Sequence, residues 1–470
     1  MGYLIKGNSV TGLAENNSDV LGQLIESLGD AVLIDQASLT IARADRSGKV
    51  SSTNPLCVVE ASKTDDVVTV MQIANRSNTP VVVRGGGSGL AGGAIGSAGE
   101  IVLSLAKMNR IVEISTENRW AHVEAGVINQ DLNVAAQEHG LWFAPDPASR
   151  IWSTVGGNIA TNAGGLLCAK YGVTREAVRE LTVVMADGEV LRMGHETVKG
   201  VTGFDLVGLM VGSEGTLGVI TEAKVALKPV DTYPTWTLSG SAPDIATVAK
   251  AIQETIRQGM QPSIFELIDE PCSRYISQHL GKEIPGVGSN VLIAQTDGAG
   301  AENLANQISK LWQELGIKVQ IEADGEELLS FRRSMLPALN EKGNVLIEDV
   351  AVPISRLGEM LGAIREIEKE FGIEIPTVAH AGDGNLHPNF VYSGEEVPEI
   401  IWKAADAIFR KAISLGGTLT GEHGVGLLKR QWLMDELGKP QWKLQWGIKK
   451  LFDPKNILNP GKVFDPNHLV

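Results

Sequence analysis

Residues 81–93 read VVVRGGGSGLAGG: a β-branched run, one arginine, and then six glycines in nine residues. Within it, Gly87-Ser88-Gly89-Leu90-Ala91-Gly92 has the G-x-G-x-x-G spacing of a dinucleotide-binding turn. Such a turn has to open a long helix whose N-terminus faces the pyrophosphate. The chain after Gly92 continues GAIGSAGEIVLSL, which offers another strand where the helix should be. A P-loop is excluded as well, because no Gly-Lys-Ser/Thr follows the glycines and Arg84 precedes them. Two readings remain: a plain glycine hairpin, or a run of backbone N–H groups forming an anion-binding concavity without a helix.

Two more segments bear on that choice. STVGGNIATNAGG (153–165) and VGSEGTLGVIT (211–221) are also glycine-rich, lie between β-like runs, and carry small hydroxyl or amide side chains. Three such loops imply a large ligand held mostly by backbone, and flavin adenine dinucleotide meets that demand. From 54 to 230 the pattern is short strands (CVVE, PVVVR, IVLSL, RIVEI, AHVEAG) with helices interspersed, one of them predicted over Thr64 to Ser77. After Lys228-Pro229 the glycine clusters end. Longer amphipathic helices, predicted over Ala242–Gln258, Ala301–Leu315 and Leu357–Phe371, then alternate with strands near VLIAQT, KVQIEA, VLIEDVAVP and TVAHA. The expected division is a helical segment (1–53), a cofactor domain (54–230), a second, substrate-covering domain (231–415), and a segment (416–470) that folds back onto the first half. From Pro440 onward the chain is read as Pro- and Gly-punctuated.

Composition narrows the function classes. With 470 residues, 43% hydrophobic and 21% charged, the chain is long enough for two or three domains of ordinary globular make-up. A formal net charge of −15 argues against a nucleic-acid or anionic-membrane surface, since either needs a basic face. The three cysteines, Cys57, Cys168 and Cys272, lie far apart, which speaks against a disulfide framework or thiolate zinc site and for a reducing compartment. The N-terminal residues lack a long apolar core, and Lys6 stands where a myristoylation signal needs Ser or Thr, so the segment is expected to be retained. The uncharged stretch Ile151–Ala169 is too rich in Gly, Asn, Ser and Thr to be a transmembrane helix.

Of eight histidines, three fall in two short motifs, TVAHAGDGNLHPNFV (377–391) and TLTGEHGVGLLKR (418–430). Asp383-Gly384 is a preferred two-residue hairpin centre, which would set His380 directly opposite His387, although Pro388 cannot donate to a ladder. Facing imidazoles can chelate one ion; the alternative is two histidines flanking a polar turn. Glu422 and His423 are adjacent and, in extended backbone, would point opposite ways. Glu422 could then complete a His380–His387–Glu422 set for zinc, manganese or iron, with His423 free as a base; alone, the pair also reads as a surface dipeptide.

At this point the markers RGGGSGLAGG, PDPASRIWSTVGGNIATNAGG, VGSEGTLGVIT, HAGDGNLHPNF, GEHGVG and ILNPGKVF, in this order, resemble the FAD-linked D-2-hydroxyacid dehydrogenases of the vanillyl-alcohol-oxidase superfamily. That family includes D-lactate and D-2-hydroxyglutarate dehydrogenases and the glycolate oxidase flavin subunit. The resemblance implies an α+β fold: a two-part PCMH-type FAD-binding domain, a ferredoxin-like cap, and a C-terminal segment returning to the FAD domain. It implies cofactor contacts at Arg84, Gly85, Gly86, Gly87, Ser88, Gly89 and Leu90 around the pyrophosphate. Further contacts are implied at Pro145, Asp146, Ser153, Gly156, Gly157, Asn158, Ala160, Thr161, Asn162 and Gly165, and at Glu214, Gly218, Val219, Ile220 and Asn459. Ser88 stands where some relatives carry a flavin-linked histidine, so the FAD is expected to be non-covalent. His380, His387 and Glu422 match the positions that bind a divalent metal, commonly zinc; His423 matches the base, and Asn389 an asparagine near the substrate.

The dicarboxylate enzymes hold their substrate with an arginine, a threonine and a lysine, which fall here at Arg332, Leu336 and Ile347. Only the arginine is kept, which favours a monocarboxylate such as D-lactate or glycolate over D-2-hydroxyglutarate unless Arg333 or another cation compensates. The expected acceptor is an electron-transfer flavoprotein, a cytochrome, a quinone or oxygen rather than NAD. The protein is expected in the cytoplasm, with membrane association only through that acceptor, and a homodimer is entertained. Two rival functions are a non-redox flavin transferase of the alkyl-glycerone-phosphate synthase type and a nucleotide- and metal-binding protein without turnover.

Overall fold

The computed structural model of the chain describes residues 10–468, so the reading of the first nine residues lies outside it. The run Val81–Arg84 is a strand, and the glycines after it lead without any helix into the parallel strand Ile101–Ser104. These two belong to a four-stranded sheet completed by Cys57–Glu60 and, antiparallel at its edge, Val32–Leu33. The stretch before Asn54 is therefore more than helical: it adds a strand to this sheet. Thr64–Ser77 is a helix with Asp65 and Asp66 in its first turn, where the helix dipole favours carboxylates. It ends at Asn78 in the left-handed region and buries Val67, Val70, Met71, Ile73 and Ala74 in the same core as the sheet.

A second sheet, antiparallel throughout, has five strands in the order Ile111–Ser115, Trp120–Glu124, Val219–Ala226, Val178–Val184, Val190–Gly194. The second glycine segment is not a simple loop. Val155–Thr161 is a short helix, because Thr154 accepts a hydrogen bond from Gly157 N–H as its N-cap and Asn162 ends it with φ 53°. The third segment is a turn between the helix Leu206–Met210 and the strand beginning at Val219, with Glu214 at φ 51°.

The second half is built on an eight-stranded antiparallel sheet. At its centre Ile264–Ile268 lies between Asn290–Thr296 and Thr377–His380. The helices Ile245–Arg257, Ala301–Glu314, Leu357–Phe371 and Glu399–Ser414 cover one face and share the largest core. In it Phe265 stacks on Trp312 with ring centroids 5.8 Å apart, and Trp312 Nε1 donates to Thr255; cutting such an aromatic to alanine costs about 3–5 kcal/mol. The helices Glu270–Leu280, Glu326–Arg333 and Met335–Asn340 form a smaller core on the other side.

The two halves meet along residues 166–171. Leu166 and Leu167 pack against that smaller core, Gln261 Nε2 donates to Ala169 O (3.2 Å), and Lys170 and Tyr171 both bind Asp297. The C-terminal segment returns to the first half. It is helical from Leu433 to Phe452, kinked at Gly438 before Pro440, so the punctuated reading holds only from Asp453 onward. Leu458 then bridges to Val81 in parallel, and Ile457 and Leu458 enter the core of the first sheet. Among the described residues no helix is long and apolar enough to cross a membrane.

Candidate active site

The glycine segments and the cap sheet enclose one continuous cavity of about 900 Å³, at the upper end of the usual ligand-pocket range. Its cradle is made of backbone. A methyl group on Gly86 would overlap the carbonyl of Trp152, and one on Gly85 would overlap the Thr154 hydroxyl. Of the residues expected to contact the cofactor, Gly85 to Leu90, Asp146, Gly156, Gly157, Asn158, Ala160, Thr161, Gly165, Glu214, Gly218, Ile220 and Asn459 line it.

Five expected cofactor contacts lie off the cavity wall. Arg84 turns back and donates through Nη1 to the carbonyls of Ala44 and Ala94, bracing both ends of the loop. Ser153 and Val219 are fully buried, Asn162 caps the short helix and accepts from Arg175 N–H, and the Pro145 carbonyl accepts from Asn129. Glu214 touches the cavity, but its carboxylate accepts from Val425 N–H (2.7 Å) and Gly426 N–H (2.8 Å). Its side chain therefore holds the second histidine motif, and burial pushes its carboxyl up to about 7. Asn459 ties three segments together: Oδ1 accepts from Val83 N–H, and Nδ2 donates to Glu214 O and Gly93 O.

The histidine hairpin departs from its expected register. His380 faces Asn385, and His387 faces Val378, so the turn is Ala381–Gly384 and not a two-residue turn. The N–H groups of Asp383 and Gly384 both donate to His380 O, and Gly384 has φ 82°, its missing side chain leaving room for the Val352 carbonyl. The histidines are consequently diagonal neighbours on one sheet face, with ring centroids 5.2 Å apart and edge to face. Pro388 is accommodated because the neighbouring ladder is interrupted opposite it. Ile347 pairs with Asn389 and Val350 with Leu386, while Glu348 N–H donates to Pro388 O.

GEHG is a bend and not an extended strand. Asp349, wholly buried, organises it by accepting from Thr420 Oγ1, Glu422 N–H and His423 N–H through one oxygen. Burial pushes the Asp349 carboxyl up, but its interactions with His423, Lys429 and His387 outweigh this and hold it below the usual range. Both Glu422 and His423 thereby face the cavity. Glu422 Oε1 lies 3.6 Å from His380 Nε2 and 3.2 Å from His387 Nε2, and one ligand atom from each of the three lies within 4.8 Å of the others.

This donor set fits a divalent ion: three protein ligands with open positions is the pattern of catalytic zinc sites. Burial disfavours a charge on His380, yet Glu266 and Glu422 together hold its pKa well above the ordinary value, so the cluster already stabilises positive charge between carboxylates. His423 stacks on His387 with ring centroids 5.3 Å apart; burial pulls its pKa down to about 4, and its Nδ1 has no hydrogen-bond partner among the described residues. Arg332 reaches the cavity and binds Glu266 through Nε (2.8 Å). Asn389, expected beside the substrate, is wholly buried and off the cavity wall, its amide donating to the carbonyls of Pro376 and His387.

Sequence reading missed Glu266, Asp349 and the contribution of Asp45, Arg46 and Gly48 to the cavity. Glu266 could have been noticed as a lone acid in IFELI, a strand buried at every position. Asp349 carries no comparable signal, because the adjacent acids of IEDV read as an ordinary polar break between two strands.

The chain matches the family models of the FAD binding domain over residues 55–194 and of the FAD linked oxidases, C-terminal domain, over residues 236–463. It is 38% identical to the glycolate oxidase subunit GlcD of Bacillus subtilis, covering 95% of this chain and 97% of that one. It is 34% identical to a D-lactate dehydrogenase of Anaerostipes hadrus (87% and 89% covered) and 37% to one of Archaeoglobus fulgidus (86% and 90%). The fold is that of 4-ethylphenol oxidase from Gulosibacter chungangensis (TM-score 0.79, 18% identity, 99% and 100% covered) and of p-cresol methylhydroxylase (0.77, 19%, 97% and 98%).

Proposed function

The chain belongs to the FAD-linked oxidases, and from that premise we propose that it oxidises a D-2-hydroxy monocarboxylate, D-lactate or glycolate, to the 2-oxo acid, with a divalent ion at His380, His387 and Glu422. One observation carries this reading: the donor cluster, His423 and Arg332 open onto the same cavity as the FAD-type glycine cradle. When bound, FAD supplies the hydride acceptor and the ion a Lewis acid that acidifies the substrate hydroxyl.

The chain's own residues do the rest. Arg332 receives the substrate carboxylate on its terminal nitrogens, since Nε is committed to Glu266. His423, held neutral by burial, accepts the hydroxyl proton. Leu336 and Ile347 both line the cavity, so neither of these positions offers a polar partner to a second carboxylate. The ion is proposed as zinc, the flavin as non-covalent, and the acceptor as an electron-transfer flavoprotein, a cytochrome or a quinone.

Anaerobic mixing with D-lactate, glycolate and D-2-hydroxyglutarate tests the reaction. Bleaching by one of the first two is expected; flavin that stays oxidised with all three sinks the proposal. His380→Ala with unaltered turnover would remove the ion from it.

A further inference from the structure

We infer that Glu266 is a positioning residue that joins the metal-binding and carboxylate-binding parts of the site through its two oxygens. The inference rests on the function proposed above and concerns a residue that neither touches the substrate nor ligates the ion.

Glu266 lies in the central strand Ile264–Ile268 and has no solvent exposure. Its strand partner is His380, so the two side chains leave the sheet on one face. Oε1 lies 2.7 Å from His380 Nδ1, and Oε2 accepts from Arg332 Nε at 2.8 Å. Oε1 beside Nδ1 is the acceptor that keeps a proton on that nitrogen, which leaves Nε2, aimed at Glu422, as the atom placed to ligate. The other oxygen fixes the Arg332 guanidinium plane, leaving its terminal nitrogens for the cavity. One rigid carboxylate thereby sets the distance between the ligand that faces a substrate hydroxyl and the fork that faces its carboxylate.

A buried carboxylate could also be a purely structural counter-charge for Arg332 and His380, and the test has to separate the two roles. Glu266→Gln keeps the shape but can accept at one oxygen only. In FAD-loaded protein, Zn(II) or Co(II) affinity by calorimetry is expected to fall about 10–100-fold, the usual cost of losing the partner of a metal-ligating histidine. KM for D-lactate or glycolate should rise by about tenfold or more at saturating ion, with kcat less affected, as expected when a binding contact is lost. In a cycle with Arg332→Gln, the two effects on KM should be non-additive.

A variant that loses thermal stability while keeping metal affinity and KM overturns the inference. If Glu266→Gln does not fold, Glu266→Asp, which withdraws the carboxylate by one methylene, is read the same way: a weaker ion and a higher KM support the role, and wild-type values overturn it. Wild-type protein that binds neither ion would instead refute the metal reading on which the inference rests.

Discussion

The cavity has two walls made in different ways. The cofactor side is built from backbone: glycines at 85–87, 156 and 218, placed where a Cβ would strike a neighbouring main chain or side chain. The reactive side is built from side chains, His380, His387, Glu422, His423 and Arg332, each held by a second residue or by a neighbouring ring. A backbone wall fails when something is added to it. A side-chain wall fails when something is taken away. The contrast predicts that additions and deletions will separate flavin retention from chemistry.

The largest expected effect is on the side-chain wall. His423→Gln should lower kcat by about 10²–10⁴, the usual contribution of a general base, while flavin content stays at the wild-type level. Turnover and flavin absorbance measured on the same sample check this; parallel loss of both would break the contrast. Adding a single methyl group on the other wall, Gly86→Ala, forces it against the Trp152 carbonyl. Overpacking of this kind costs about 1–3 kcal/mol, so FAD affinity read by flavin fluorescence should drop by about tenfold or more, with metal affinity retained.

A third variant acts one layer behind the reactive wall. Asp349→Asn weakens the acceptor for Thr420, Glu422 and His423. A stability loss of about 1–3 kcal/mol is expected for buried donors left poorly paired, together with a higher KM, measurable by denaturant titration and steady-state kinetics. If only stability falls, Asp349 serves the fold and not the site.

The smallest effect is a pH slope where the two walls meet. The Glu214 carboxyl is pushed by burial from 4.5 to about 7. Between these values the folded state binds more protons than the unfolded one, so this group's contribution to stability is full below 4.5 and is lost as pH rises through 7. The Tm of flavin-free protein should carry this downward slope, and Glu214→Gln should flatten it. A slope unchanged by the substitution would place the titration elsewhere.

The two walls also differ in how far the sequence reveals them. Backbone requirements leave local marks. Glycine clusters, Asn162 and Asn459 sit beside the very conformations they permit, and all three glycine segments were recognisable without coordinates. Helix limits were equally local: Thr64–Ser77 and Leu357–Phe371 follow from apolar spacing alone. The side-chain wall was legible only as far as its histidines and Glu422. Its supports come from distant segments, Glu266 being 114 residues from His380 and Asp349 74 from His423, and no local pattern announces such pairing. The hairpin register was misjudged for the same reason, because Asp383-Gly384 favours a two-residue turn until the Val352 carbonyl is packed against Gly384.

Asn459 has a consequence for the order in which the molecule can be made. Its side chain joins Val83, Gly93 and Glu214, residues made long before it, and its main chain bonds to Val81. A chain emerging from its N-terminus folds its first domain early, yet the nucleotide cradle of this protein still lacks that clasp until Asn459 has emerged. Flavin capture would then wait for Asn459 and not for the first domain alone, and a chain cut short before Asn459 would carry both walls with the cradle unfastened.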